Sequence, residues 1–335
     1  MKFDYSILIL IFSVVVLATV SAAVSSSSSG DSSVCRAVSF SGAGDRGAYE
    51  AGVVAGLVDS RDPADLMWQF ATGISAGSIN AAGMAMYNIG NEVGGKDFLV
   101  NQWLGINKRD IYTDWKIGGV VDGLLFQKGI FDNTALYNFM GNVLNVTALQ
   151  SSTRGLLIGA TDITTGLFQR FEKNETNIVD CVVASASIPA VFPPAQFWGQ
   201  TFVDGGVTYM TPISDTARLC QETGAEKIII DVIVIGNPTL QEDCSNYTSL
   251  PILMRSASIV QHNIAMKDIE TVFQAFDNVQ VNLFYPSQSL PGYFLGFEYS
   301  KIMVSIGYKD GQDENNVITL TNDNYKEIIS KLYYK

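Results

Sequence analysis

The residues of this chain best suited to chemistry begin with a serine between two glycines. Residues 73–77 have the sequence G-I-S-A-G and fit the pattern G-x-S-x-G, with Ser75 at the centre. This pattern is typical of a sharp turn from a strand into a helix, which exposes the serine hydroxyl. Gly73 and Gly77 are small enough to let the neighbouring strand and helix approach. The positive end of the following helix favours negative charge near Ser75, so the motif predicts a nucleophilic serine.

A nucleophilic serine needs a group that accepts its proton, and the sequence contains a single histidine, His262. That histidine lies inside a predicted long helix, far from any strand-to-helix turn, which favours a structural role. A carboxylate is the remaining candidate. Asp204 follows a predicted apolar strand and precedes Gly205 and Gly206, which permit a tight turn and close approach of a substrate. Because Asp-Gly pairs are common in ordinary turns, the prediction that Asp204 is the base depends on its occurrence with Ser75.

A second glycine-rich turn, residues 42–47 with the sequence G-A-G-D-R-G, follows the first predicted strand and precedes a helix. Its backbone N–H groups are suited to stabilising the oxyanion of an acyl-transfer reaction. The turn also fits the dinucleotide-binding pattern G-x-G-x-x-G, so a nucleotide-dependent oxidoreductase is an alternative. That alternative requires an acidic residue about 20 positions further on, at the end of a second strand. The aspartates nearby follow no predicted strand, and the alternative leaves Ser75 and Asp204 unexplained.

Taken together, the motifs resemble those of the patatin-like phospholipase family, in the same order. Residues 185–194, S-A-S-I-P-A-V-F-P-P, are similar to the S-x-x-P-x-x-F-x-P stretch that precedes the family's aspartate, and the resemblance spans residues 36–207. It implies a three-layer α/β/α sandwich, a catalytic dyad of Ser75 and Asp204, and hydrolysis of acyl esters of phospholipids, galactolipids or neutral lipids. The oxyanion-hole motif of the family falls on Gly42, Ala43, Gly44 and Arg46.

Ala43 departs from the family pattern, which has glycine at this position. If the position requires a positive φ, a Cβ there costs about 1 kcal/mol and shifts the oxyanion-binding N–H groups. Two hypotheses follow. The first is a serine hydrolase of phospholipase A or lysophospholipase type that acts through an acyl-enzyme. The second is a catalytically silent secreted protein that binds or stores lipid. Arg46 is expected to orient the loop, meet a lipid phosphate or form a structural salt bridge.

From residue 34 onward, the sequence alternates short apolar runs with stretches of helical period. This alternation indicates βαβ units and a mainly parallel sheet in one domain, residues 34–335. Apolar side chains in residues 98–131 and 290–295 are expected to join the core, line an acyl channel or contact a membrane. Strands are predicted at 36–40, 69–72, 156–160, 167–171, 228–235 and 279–285, and helices at 48–58, 78–89, 252–276 and 325–333.

The N-terminal residues 1–22 predict a secretory signal peptide, since Lys2 precedes an apolar run at residues 7–20 that small residues follow. A signal anchor is the alternative, although the run is shorter than the roughly 20 residues that span a bilayer. A serine-rich flexible linker is predicted at residues 23–33. The protein is therefore expected to be secreted or to reside in the lumen of the secretory or endolysosomal pathway.

Composition limits the partners of the protein. The formal net charge is -12, from 33 acidic and 21 basic residues, which argues against nucleic acid and against general attraction to anionic membranes. Transient contact with a membrane or micelle is expected to rely on apolar side chains or a local patch. No cofactor or metal is predicted, because one histidine cannot build a multi-histidine site. Sequons at Asn145, Asn174 and Asn246 predict glycosylation of surface loops, and the oligomeric state is left open.

Four cysteines occur without a C-x-x-C spacing, which gives no support to a zinc ribbon or a thioredoxin-like motif. Cys35 and Cys181 lie in apolar runs and are expected to be buried thiols. Cys220 and Cys244 lie in or near loops and are candidates for a disulfide in an oxidising compartment.

Overall fold

The computed structural model describes residues 33–236, 244–292 and 295–333. The signal peptide predicted at residues 1–22 lies outside the described residues, and so does the linker predicted at 23–33 except for its last residue. Within the described ranges, no helix is both long and apolar enough to cross a membrane.

The centre of the fold is a sheet that contains nine strands within the described residues. The strands are β1 (Val34–Phe40), β2 (Phe70–Ile74), β3 (Gly155–Asp162), β4 (Phe168–Glu172), β5 (Ala195–Phe197), β6 (Gln200–Asp204), β7 (Lys227–Ile233), β8 (Val279–Phe284) and β9 (Val317–Thr321). Their order is β5-β6-β3-β2-β1-β7-β8-β9, with β4 also paired to β3. The five central strands β3, β2, β1, β7 and β8 run parallel, whereas the remaining strands pair antiparallel with their neighbours. This confirms the predicted mainly parallel sheet.

Helices cover both faces of the sheet. They are α1 (Gly47–Ser60), α2 (Ala76–Ala85), α3 (Glu92–Gly105), α4 (Lys108–Ile111), α5 (Gly119–Leu125), α6 (Thr134–Val143), α7 (Val146–Ser151), α8 (Ile178–Ser185), α9 (Ile213–Glu222), α10 (Ser249–Ala275), α11 (Ser300–Gln312) and α12 (Tyr325–Tyr333).

Two apolar clusters show the three layers. Because side chains alternate along a strand, Val38 and Phe40 of β1 join one cluster, with α1, α2, α3, α6, α8 and α11. Cys35 and Ala37 join the other cluster, with α9, α10 and α12. We call these sides of the sheet the first face and the second face. The predicted α/β/α sandwich is confirmed.

Helix α11 was not predicted from the sequence, because its glycines interrupt the helical pattern. The structure explains them. A Cβ at Gly307 would lie 2.1 Å from the carbonyl oxygen of Tyr49, and a Cβ at Gly52 would lie 2.3 Å from that of Val304. Helices α1 and α11 therefore pack backbone against backbone, which only glycine permits at these positions.

A disulfide joins Cys35 in β1 to Cys220 in α9, on the second face. The predicted pairing of Cys220 with Cys244 is therefore wrong, as is the expectation that Cys35 is a thiol. Cys181 is a buried thiol, as predicted. The bonded cysteines are 185 residues apart, and such a pairing depends on tertiary proximity that no local pattern shows.

Candidate active site

Ser75 lies in the turn between β2 and α2, and its backbone is strained. Its φ is +56° and its ψ is -129°, values that a residue with a Cβ rarely adopts. Such a conformation costs on the order of 1–3 kcal/mol and persists only where the surroundings enforce it. The Ser75 N–H donates to Oγ of Ser185 at 3.0 Å, and the Ser75 carbonyl oxygen accepts from Oγ of Ser78 at 2.6 Å. These bonds hold the buried serine in the turn at the start of α2.

The two glycines of the motif make this turn sterically possible. A Cβ at Gly73 would lie 2.1 Å from the carbonyl oxygen of Gly77, and a Cβ at Gly77 would lie 2.5 Å from that of Ser41. Both contacts are with backbone, which cannot move aside as a flexible side chain can. The turn therefore requires glycine at both positions.

Sheet register brings Asp204 beside Ser75. Strand β2 ends at Ile74, which pairs with Gly159 of β3, and β6 ends at Asp204, which pairs with Ala160 of β3. Adjacent residues of β3 thus pair with the last residues of both strands. The chain segments that leave β2 and β6 emerge next to each other, although Ser75 and Asp204 are far apart in the sequence.

Asp204 is a buried carboxylate with one oxygen left over. Its Oδ1 accepts from the Gly206 N–H at 2.7 Å, whereas its Oδ2 is buried and has no hydrogen-bond partner among the described residues. Burial raises the pKa of Asp204 to about 6, against the opposing effects of the Ser75 hydroxyl and the Gly206 N–H. The Ser75 hydroxyl thus lies close enough to favour the ionised form of Asp204, although the two side chains form no hydrogen bond of standard geometry. Catalytic hydrogen bonds are often loose without substrate and tighten when it binds.

Gly205 and Gly206 allow the chain to turn tightly after Asp204. A Cβ at Gly205 would lie 2.4 Å from the carbonyl oxygen of Gly159, and a Cβ at Gly206 would lie 2.8 Å from Sδ of Met210. The first contact is with the backbone of β3, so larger residues at 205 would push Asp204 away from the serine turn.

His262 is placed away from this arrangement. It lies in α10, a helix of the second face, and burial lowers its pKa. It does not line the cavity beside Ser75. This placement agrees with the structural role predicted for His262.

The glycine-rich loop offers two backbone donors beside Ser75. The Gly42 N–H is already used, since it donates to the carbonyl oxygen of Met210 at 2.8 Å. A Cβ at Gly42 would lie 3.6 Å from Cβ of Ser75, which shows how closely the loop approaches the serine. The N–H groups of Ala43 and Gly44 have no hydrogen-bond partner in the described part of the chain. These two groups are the donors available to an oxyanion.

Backbone angles remove the conformational objection to Ala43. Its φ is -134° and its ψ is -22°, so a Cβ causes no left-handed strain there. The positive φ of the loop, +56°, falls on Gly44. The methyl group of Ala43 is buried in the apolar cluster of the first face. The penalty expected for a residue with positive φ therefore does not apply to Ala43.

Arg46 ends the short helical turn Gly44–Arg46 of the loop. It forms no ion pair with an acidic residue in the described ranges. Burial raises the pKa of the adjacent Asp45, while the Leu295 N–H and the positive charge of Arg46 oppose that rise. Oδ1 of Asp45 accepts from the Leu295 N–H at 3.1 Å. The loop is thus tied to the segment before α11, a contact that the sequence did not indicate.

An apolar cavity adjoins Ser75 on the first face, with about 50 Å³ of space open to the centre of a water molecule. Three polar side chains line it among the described residues, those of Ser75, Asn80 and Gln102. The apolar lining comes from α2, α3, α6 and the segments around them: Ala76, Ile79, Phe98, Leu99, Trp103, Ile106, Ile111, Leu136, Phe139, Met140, Val143, Leu144, Ala186, Ile188, Phe192, Leu295 and Phe297.

A buried polar network in the cavity wall was missed by sequence reasoning. Nδ2 of Asn80 donates to Oε2 of Glu50 at 2.8 Å and to the carbonyl oxygen of Gly47 at 3.0 Å. Nε1 of Trp103 donates to Oδ1 of Asn80 at 2.7 Å. Burial raises the pKa of Glu50 well above its ordinary value. The network fixes α2 against α1 and α3 beside Ser75. No local sequence pattern predicts it.

The three sequon asparagines are exposed. Asn145 caps α7, where its Oδ1 accepts from the Ala148 N–H at 3.0 Å. Asn174 and Asn246 lie in turns. Their surface positions fit the expectation, and glycosylation itself stays a prediction.

Together these groups can perform acyl transfer. A hydroxyl lies beside a buried carboxylate, two N–H donors are available nearby, and an apolar cavity adjoins them. In the described ranges, no group of three or more His, Cys, Asp or Glu side chains is arranged to hold a metal ion.

The sequence matches the model of a known protein family. The model of the family described as Patatin-like phospholipase matches residues 38–217, which is more than half of the 335 residues. A search of curated proteins gave no match. Among solved structures, the crystal structure of VipD from Legionella pneumophila is similar, with a TM-score of 0.46 and 15% identity over 86% of this chain and 68% of that chain.

Proposed function

This chain belongs to the patatin-like phospholipase family, and from that premise we propose that it is a serine lipid acyl hydrolase of phospholipase A or lysophospholipase type. One observation carries the proposal. The strained Ser75 lies beside the buried carboxylate of Asp204 and opens onto an apolar cavity. Perturbed carboxyl groups and convergent polar groups at the end of an apolar cavity are typical of catalytic sites.

The proposed reaction has two steps. Asp204 accepts the proton of the Ser75 hydroxyl as Oγ attacks the ester carbonyl, and the oxyanion receives hydrogen bonds from the N–H groups of Ala43 and Gly44. The carbonyl re-forms, the alcohol leaves with the proton from Asp204, and an acyl-enzyme remains. A water molecule then gives a proton to Asp204 and attacks the acyl carbon. Collapse of this second oxyanion releases the fatty acid and returns the proton to Ser75.

The environment of Asp204 suits a base that works without an imidazole. A carboxylate with the ordinary pKa of 3.8 is a weak base, and burial raises the pKa of Asp204 to about 6. The group is then a stronger base and is still mostly ionised at neutral pH. Oδ2 has no partner among the described residues, so it is available to the serine proton.

The cavity is suited to an acyl chain. Its lining is almost entirely aliphatic and aromatic, and Ser75 lies in its wall. The part of an acyl chain next to the ester would leave water for this space while the ester carbonyl stays at the serine. Of the apolar residues in the stretch 98–131, it is therefore those between Phe98 and Ile111 that line the cavity.

We extend the proposal to location in the secretory or endolysosomal pathway or outside the cell. The disulfide between Cys35 and Cys220 supports it, because such bonds persist in oxidising compartments. Exposed sequons at Asn145, Asn174 and Asn246 are also consistent with it. Detection of N-linked glycan on the protein purified from its native source tests this part.

The alternative of a dinucleotide-dependent enzyme lacks the residue that it needs. An acidic side chain at the end of the second parallel strand would bind the ribose. Strand β2 ends at Ile74 and leads directly into Ser75. The silent lipid-binding protein remains the rival, and its distinguishing property is a serine without reactivity.

Labelling with a fluorophosphonate probe tests the proposal. The purified chain is labelled, the modified peptide is mapped by mass spectrometry, and Ser75→Ala, Asp204→Asn and the exposed-serine control Ser151→Ala are treated in parallel. We expect label on Ser75, retained in Ser151→Ala and lost in the other two variants. A folded wild-type protein that takes no label refutes the hydrolase and leaves the silent lipid-binding protein. A panel of phospholipids, lysophospholipids, galactolipids and neutral lipids then identifies the substrate.

A further inference from the structure

A cluster of exposed apolar side chains surrounds α5. We call residues 116–128 the apolar tip. Six of its side chains are large and apolar, and their exposed fractions range from 47% to 84%. Soluble proteins rarely present so many neighbouring apolar side chains to water unless the surface binds something. The six residues are Ile117, Val120, Val121, Leu124, Leu125 and Phe126.

The orientation of α5 is the reverse of that of an ordinary surface helix. A surface helix turns its apolar side chains towards the core. In α5 the buried residue is Gly123, where a Cβ would lie 2.2 Å from the carbonyl oxygen of Ile130. The helix therefore rests on the protein through its backbone, and its large apolar side chains point outward.

The tip is a closed excursion whose ends are pinned beside the cavity. Thr113 and Asp132 exchange two backbone hydrogen bonds of 3.0 Å, which bring the two ends together. Just before this bridge, Ile111 lines the cavity. Just after the tip, the Ile130 N–H donates to the carbonyl oxygen of Ala190 at 2.9 Å, in the loop that leads to the cavity-lining Phe192.

Charge at the tip differs from charge on the rest of the chain. Lys116 and Lys128 stand at its two ends, and its one acidic residue, Asp122, accepts from Nε2 of Gln127 at 2.8 Å. The chain as a whole carries a formal charge of -12. Lysines that flank an apolar segment suit the depth of lipid phosphates when the segment enters the headgroup region.

We propose that the apolar tip inserts into the surface of a zwitterionic phospholipid layer and places the cavity mouth against it. The occupant is a zwitterionic layer because the acidic chain gains little from an anionic one. Apolar burial then supplies the affinity, and the two lysines set the depth. The inference rests on the proposed function for its purpose, since a lipid would pass directly from the layer to Ser75.

Flotation with phosphatidylcholine vesicles tests binding apart from catalysis, with Ser75→Ala as the parent so that no lipid is hydrolysed. The test variant adds Leu124→Ser, Leu125→Ser and Phe126→Ser, and a matched control adds serine at three exposed apolar positions of other helices. We expect the partition coefficient to fall at least about tenfold in the test variant and to stay within about twofold in the control. The control positions are Val93, Val260 and Ile302.

Undiminished vesicle binding by the test variant would overturn the proposal, and so would an equal loss in the control. A steep loss of wild-type binding as salt is raised would also contradict it, because it would show an electrostatic contact. Sedimentation without lipid examines a second copy of the chain as occupant. Self-association abolished by the test variant, with vesicle binding intact, would assign the tip to a dimer instead.

A soluble ester separates this inference from the proposed function. With Ser75 restored, the test variant is expected to hydrolyse monomeric p-nitrophenyl butyrate at about the wild-type rate and phosphatidylcholine vesicles at least about tenfold more slowly. One outcome is that the wild type hydrolyses neither substrate while flotation still depends on the apolar tip. That result would refute the proposed hydrolase activity and support the proposed lipid-binding surface. If the test variant hydrolyses both substrates as well as the wild type does, the proposed role of the apolar tip is refuted and the proposed hydrolase activity is supported.

Discussion

The two faces of the sheet differ in how completely their apolar cores are filled. On the first face, the core stops short around Ser75, and the space left over is the apolar cavity. On the second face, α9, α10 and α12 close over β7 and β8, and the disulfide between Cys35 and Cys220 fastens α9 to the sheet. The candidate site and the disulfide therefore lie on opposite sides of one sheet. Substitutions on the two faces should therefore have separable effects.

Two buried carboxyl groups should differ most in their effect on activity when each is replaced. Asp204 on the first face and Asp268 in α10 on the second both have a pKa raised by burial to about 6. Asp268 accepts from the Ile213 N–H and Oγ of Ser214, so it is fully engaged in structure. We expect Asp204→Asn to lower kcat/KM for a soluble ester by on the order of 10³-fold, and Asp268→Asn by less than about threefold. Similar losses in both variants would contradict the division between the faces.

Removal of the disulfide should affect stability alone. Replacing Cys35 and Cys220 with alanine releases a loop of 185 residues and is expected to lower the free energy of unfolding by about 2–5 kcal/mol. At a temperature where the variant is folded, kcat should match that of the wild type. Urea unfolding and ester hydrolysis measure the two quantities, with the buried first-face thiol variant Cys181→Ala as control. A fall in kcat comparable to that of Asp204→Asn would show that the faces are coupled.

The pH dependence should show opposite trends for activity and stability. Asp204 must be ionised to act as base, so kcat/KM is expected to fall about tenfold per pH unit below its pKa of about 6. Because the folded pKa lies above the ordinary 3.8, the protonated group favours the folded state. That contribution is complete below the ordinary pKa and is lost as pH rises through 6.

Initial rates measured from below to above pH 6 give the fall of kcat/KM with falling pH, and Asp268→Asn provides the control. The midpoint should be the same in the control, because Asp268 lies on the other face. A midpoint close to the ordinary aspartate value would show that Asp204 is solvated during catalysis. A midpoint that shifts in Asp268→Asn would show that Asp268, and not Asp204, sets the pH dependence of activity.

The smallest effects are expected within the glycine-rich loop. Ala43 has a negative φ, so Ala43→Gly should change kcat by less than about threefold and lower stability by under about 1 kcal/mol. Gly44 has a positive φ, so Gly44→Ala should cost about 1 kcal/mol and lower kcat more, through displaced N–H donors. Thermal unfolding and ester hydrolysis check both variants. A large gain of activity in Ala43→Gly would revive the idea that Ala43 impairs the loop.

Much of the central sheet was predictable because parallel strands buried on both faces have continuous β-branched runs, as at residues 228–235. The helix predicted at 78–89 ends earlier, at Ala85. Helices in the stretch 90–130 escaped prediction, because its glycines and its outward-facing apolar residues obscure the helical period. Strand β9 was missed as well. It is a short strand in which only Leu320 is fully buried, so its apolar pattern is weak.

The candidate site was predictable where its parts are local motifs. The turn around Ser75, the Asp-Gly-Gly of Asp204 and the glycine-rich loop each have a recognisable sequence. Their partners were not predictable, because Ser185, Asn80 and the Leu295 N–H reach the site only through tertiary packing. Register along β3, which sets the serine beside the aspartate, has no counterpart in any local pattern.

The bond from the Leu295 N–H to Asp45 has a consequence for biosynthesis. A ribosome that has made both Ser75 and Asp204 has yet to make Leu295 and α11, the elements that hold the glycine-rich loop and close over α1. Domains generally fold as units, so a chain that lacks its last elements does not complete its fold. A nascent chain that already carries both reactive side chains is therefore expected to be inert.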